Sequence, residues 1–159
     1  ATYDLKPEMS TPEVTERLIS EINGGKFDLI VVNIANGDMV GHTGDYEAAL
    51  EAAMAVDKSL GQLETTILSA GGVMIVTADH GNLELMQNPD TGEPHTSHTN
   101  EPVPIVLVGH SLGVKRLKDG GLADVAPTIL ELLGIDHPEE MTGRSLIVRS
   151  GATSRKAAE

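Results

Sequence analysis

Cysteine is absent from the 159 residues, which removes disulfides and thiolate metal sites from consideration. Its absence fits a reducing compartment, and a cytoplasmic location is the expectation. Aromatic rings are nearly missing: Phe27, Tyr3 and Tyr46 stand without a single Trp, 2% of the chain. A core must therefore be built from Val, Ile, Leu, Ala and Met, and there is little on which a single-stranded nucleic acid could stack. Basic residues are scarce, 11 Lys+Arg against 24 Asp+Glu, giving a formal charge of −13. A phosphate backbone has too few cations to meet, so nucleic acid is excluded as a partner. No apolar run reaches membrane-spanning length and no basic-then-apolar leader opens the chain, so no membrane partner is expected. With 40% hydrophobic residues the composition is that of a folded acidic domain rather than a disordered acidic segment.

The order of elements follows from local signals. Ser10-Thr11-Pro12-Glu13 predicts a helix start, with Thr11 as cap and Pro12 in the first turn; Val14, Leu18, Ile19 and Ile22 recur at helical spacing and Asn23-Gly24-Gly25 closes the segment. Phe27 to Ile34 is an apolar, β-branched run that reads as a buried strand. From Asp45 to about Ser69 a long helix is predicted with Tyr46, Ala49, Leu50, Ala53, Met54, Leu60, Leu63 and Ile67 on its apolar face. Val73–Thr77 and Ile105–Val108 are two further strands, separated by a turn-rich stretch at Asn88–Pro94. Asp124 is expected to cap a helix carrying Val125, Ile129, Leu132 and Leu133, with Gly134 just past its end. The alternation predicts an α/β fold with a largely parallel sheet flanked by helices. Residues 1–148 form one domain or part of one, and 149–159 a flexible tail.

Asp and His gather where such a fold binds ligands, at the carboxyl ends of strands. Asn36-Gly37-Asp38-Met39-Val40-Gly41-His42 follows the first strand and Thr77-Ala78-Asp79-His80-Gly81-Asn82 the second. The loop His95-Thr96-Ser97-His98-Thr99-Asn100 returns toward the same edge. Carboxylate oxygen and imidazole nitrogen suit Mn²⁺, Zn²⁺ or Fe²⁺, and Asp38, His42, Asp79, His80 and either His95 or His98 can converge on one crevice. Spacing does not choose between His95 and His98. His110 and His137 read as surface or turn residues.

These segments, with Tyr3–Ser10, Pro102-Val103-Pro104 and Leu122–Leu130, resemble the cofactor-independent, metal-dependent phosphoglycerate mutases of the alkaline phosphatase superfamily. The resemblance runs from the start of the chain to about Leu146. It implies an alkaline-phosphatase-like fold, incomplete in this chain, and two divalent ions, most simply Mn²⁺. One ion would take Asp38, His42 and His98; the other would take Asp79 and His80. It also implies interconversion of 3-phosphoglycerate and 2-phosphoglycerate, a step of glycolysis and gluconeogenesis, through a phosphoserine intermediate in a monomeric intact enzyme. The nucleophilic Ser, a further Asp ligand and the transferase domain that holds the substrate have no counterpart here. A truncated chain, starting at Ala rather than Met, without mutase activity of its own, is therefore expected. Arg17, Arg116, Arg144, Arg149 and Arg155 are scattered and form no visible clamp for an anionic substrate. A related metallohydrolase or phosphopentomutase, or a non-catalytic metal-binding module, stands as the alternative.

Overall fold

The computed structural model describes residues 3–110 and 113–149, which belong to two compact units, Ala1–His110 and Ser111–Glu159. The tail predicted from residue 149 lies outside the described residues from position 150 on; Arg149 itself ends a strand.

In the first unit, α1 (Thr11–Gly24) packs against α3 (Tyr46–Ser69), with the short α2 (Asn36–Gly41) against α3 as well. α1 ends as its glycines predict: Gly25 takes φ +59° and donates its N–H to the Ile22 carbonyl. Its start differs. Ser10 holds the cap position without a side-chain bond, and Thr11 is the first helical residue. The Thr11 hydroxyl is turned inward to Asn36, so it serves tertiary packing instead of the helix end.

Asp45 caps α3 by accepting the Ala48 N–H at 3.0 Å. The buried stripe of α3 is Ala48, Ala49, Ala52, Ser59 and Leu63, whereas Tyr46, Leu50 and Met54 are exposed. Small side chains let the helix approach its neighbours closely, and Val40, Met86 and Leu83 pack on Ala48, Ala49 and Ala52. The predicted apolar face was thus partly the wrong one. A helix offering both an alanine stripe and a stripe of larger side chains has its inward face chosen by its neighbours.

β1 (Val73–Thr77) pairs with β2 (Ile105–Gly109) in antiparallel register, Val73 opposite Gly109 and Thr77 opposite Ile105. The connection is a nested return, not a crossover: Thr77 Oγ1 donates to the Pro104 carbonyl, Gly81 bridges Thr99, and Gln87 bridges Pro94. Its tip is the turn-rich stretch, where Asn88 Oδ1 accepts the N–H groups of Asp90 and Thr91. A chain that doubles back on itself can only pair antiparallel.

In the second unit β3 (Val114–Leu117) pairs with β4 (Ile147–Arg149), again antiparallel, beside α4 (Val125–Leu133). Gly134 ends α4 at φ +69°. Asp124 occupies the cap position but its carboxylate bonds elsewhere, to the N–H of Gly121 and of Arg144, which keeps its pKa below the usual carboxylate range. Thr128, fully buried, accepts the Leu146 N–H at 2.9 Å and donates to the Asp124 carbonyl.

The largely parallel sheet is not observed: among the described residues both strand pairs are antiparallel. Nor is Phe27–Ile34 a buried strand. Residues 26–35 lie in no helix or strand, and Phe27, Leu29, Ile30, Val31 and Val32 are all exposed, Val31 at 80%. β-branched residues favour an extended backbone, but a strand also needs a partner for its N–H and C=O groups, and none lies alongside among the described residues.

Candidate metal centre

Asn36 starts the site. Its side chain is buried, donates to the Pro7 carbonyl at 2.7 Å and accepts the Thr11 hydroxyl. That brace fixes the first turn of α2. Asp38 and His42 follow four residues apart, a spacing that places both on one helical face. Asp38 Oδ1 stands 3.2 Å from His42 Nε2, 2.9 Å from His98 Nε2 and 3.9 Å from His80 Nε2. His42 Nε2 and His98 Nε2 are 3.1 Å apart. The His80 and His98 rings stack with centroids 3.7 Å apart.

Ring orientation is set from behind. His42 Nδ1 lies 2.7 Å from the Thr96 carbonyl, and His80 Nδ1 3.3 Å from the Gly81 carbonyl. A carbonyl can only accept, so each Nδ1 donates to it and the Nε2 edge of each ring is turned toward Asp38. Asn82, buried, donates its side-chain N–H to Asp38 Oδ1 at 3.0 Å. Gly41 makes room for this contact, since a Cβ there would overlap the Asn82 amide. Burial pushes the Asp38 pKa up, but the Asn82 hydrogen bond and the fields of His42, His98 and His80 together hold it below the usual range. Asp38 is therefore a carboxylate at neutral pH.

This donor set fits a divalent cation. Two ligands each about 2.1 Å from one ion stand roughly 3–3.5 Å apart in tetrahedral or octahedral geometry. Asp38, His42 and His98 meet that spacing on all three edges. A second, wider group, Asp38, His80 and His98, keeps its ligand atoms within 4.8 Å of one another. Asp79 stays at the margin: its Oδ1 is 3.6 Å from His80 Nε2 and its side chain is 76% exposed. His98, not His95, is in the cluster; His95 Nδ1 is buried without a hydrogen-bond partner. His110 and His137 are exposed. Asn82 was not legible as a site residue, because nothing in its spacing announces that its amide bonds Asp38.

A family model described as the Metalloenzyme superfamily matches residues 1–137, and the chain belongs to that family. Within it, the chain is 61% identical over 147 residues to the 2,3-bisphosphoglycerate-independent phosphoglycerate mutase of Cereibacter sphaeroides. It is 59% identical over 149 residues to the corresponding mutase 1 of Methanosarcina barkeri. These matches cover 92% and 94% of this chain but only 29% of each relative. The crystal structure of Leishmania mexicana phosphoglycerate mutase at low cobalt concentration superposes with a TM-score of 0.86 at 38% identity, covering 94% of this chain and 30% of that one. The α/β, alkaline-phosphatase-like character expected from the motifs is supported at this level. No helix among the described residues is long and apolar enough to cross a membrane.

Proposed function

We propose that the chain is the metal-holding part of a 2,3-bisphosphoglycerate-independent phosphoglycerate mutase, a cytoplasmic, monomeric enzyme that interconverts 3-phosphoglycerate and 2-phosphoglycerate through a phosphoserine. The observation that carries this is the convergence of Asp38, His42 and His98 at 2.9–3.2 Å in a chain about 60% identical to such mutases. Those three residues would hold one Mn²⁺, with Asp79 and His80 contributing to a second. The near-equal edges of the first group, and the longer 3.9 Å reach to His80, support that division. When bound, the cations neutralise phosphoryl oxygens and lower the pKa of an attacking hydroxyl. This chain's own part is to present three imidazoles and the carboxylates of Asp38 and Asp79; the nucleophilic Ser is not among these residues.

Residues 1–148 are then one portion of a larger phosphatase domain. The uncovered apolar run at Phe27–Val32 supports that reading, because adjacent exposed apolar side chains of this kind mark a face that another part of a protein covers. The test is an assay of the full-length gene product with 3-phosphoglycerate and with a pentose phosphate, beside the 159-residue chain. Turnover of 3-phosphoglycerate by the full-length protein, lost in His98→Ala and absent from the isolated chain, is expected. Turnover of the pentose phosphate alone would replace the proposal with a phosphopentomutase.

A further inference from the structure

Glu84 has no part in the reading above, yet its two carboxylate oxygens join the limbs that carry two of the histidines. Oε2 accepts the Asn82 backbone N–H at 2.7 Å and Oε1 accepts the Thr99 hydroxyl. Asn82 lies two residues past His80, and Thr99 is next to His98. Between them the Thr99 N–H donates to the Gly81 carbonyl at 3.0 Å. The same Asn82 donates its side chain to Asp38 Oδ1, so one carboxylate is linked to His80, His98 and Asp38 at once.

Gly81 fits this arrangement. A Cβ at that position would overlap both the Glu84 carboxylate and the Thr99 hydroxyl, so a larger residue there would displace this side-chain contact. The Thr99 hydroxyl, against a smaller cost of burial and with the Asn82 N–H assisting, holds the Glu84 carboxyl below the usual range. A charged acceptor makes hydrogen bonds roughly twice as strong as a neutral one.

We propose that Glu84 is a positioning residue, a carboxylate clamp that sets the separation of His80 and His98 and through it the affinity and coordination of a divalent cation. The proposal rests on His80 and His98 being ligands, and the experiment separates the two claims. The chain is titrated with Mn²⁺, free ion being followed by electron paramagnetic resonance, and with Co²⁺, followed by visible absorption. His98→Ala tests the ligand assignment, and unchanged binding in it overturns that assignment. With binding lost in His98→Ala, Glu84→Ala is expected to weaken Mn²⁺ binding about 10–100-fold and to shift the Co²⁺ bands. Thr99→Val is expected to reproduce part of the loss, and the double variant to lose no more than Glu84→Ala. If Glu84→Ala does not fold, Glu84→Gln, which keeps shape but only one accepting oxygen, carries the test with a several-fold loss. Parental affinity and an unchanged Co²⁺ spectrum in the folded Glu84 variant overturn the clamp while leaving the ligands intact.

Discussion

Asn36→Leu probes the brace beneath the site. Asn36 is 1% exposed and Thr11 4%, so neither group it serves can turn to water. Leucine nearly conserves volume but leaves the Pro7 carbonyl without a donor and the Thr11 hydroxyl without an acceptor. Each buried polar group left unpaired costs about 1–3 kcal/mol, so the pair amounts to about 2–6 kcal/mol. For a unit of this size each kcal/mol lowers the melting temperature by about 4–8 °C, so a fall of at least about 8 °C is expected by circular dichroism of the metal-free chain. Adding Thr11→Val removes the stranded hydroxyl. The double variant should therefore regain about 1 kcal/mol over Asn36→Leu alone, a non-additivity that a general packing defect would not produce. Because α2 begins at Asn36 and carries Asp38 in the same turn, Mn²⁺ affinity should fall alongside. A melting temperature within about 2 °C of the parent would refute the burial argument outright.

Thr128→Val takes the acceptor from the buried Leu146 N–H, so the second unit should lose about 1–3 kcal/mol and the Leu146 amide should exchange faster. Val40→Ala deletes two methyls from a fully buried site against Ala48, Ala52 and Met86; a loss of about 1–3 kcal/mol in denaturant titration is expected. Acid provides a further check. The Asp38 and Glu84 carboxyls both sit below their ordinary values, so their contribution is whole above the unfolded pKa and disappears as pH falls through the lower folded one. Metal-free melting temperature should hold level down to about pH 5 and drop below about pH 4, with Asp38→Asn and Glu84→Gln each flattening part of the drop. An acid limb unchanged in both variants would remove these carboxylates from the account. Metal loading should weaken as pH falls, because a protonated imidazole has no lone pair to give a cation.

The sequence by itself determined what is decided within a turn or two of chain. The ends of α1 and α4 at Gly25 and Gly134, the Asp45 cap of α3 and the turn at Asn88 all depend on neighbours in the chain. The motif segments also named the imidazole and carboxylate donors, and their convergence was expected; Asp38 with His98 at 2.9 Å is where two of those stretches meet. Tertiary structure alone decided the rest. It turned the alanine stripe of α3 inward, left Phe27–Val32 exposed, paired both sheets antiparallel, and sent the Asp124 carboxylate to residue 144 instead of the helix it precedes. It also brought Asn36 to Pro7 and Thr11, Asn82 to Asp38, and Glu84 to Thr99. The physical reason is common to all of these: a hydrogen bond or a buried face is completed by groups tens of residues away, and no local pattern records which distant partner arrives.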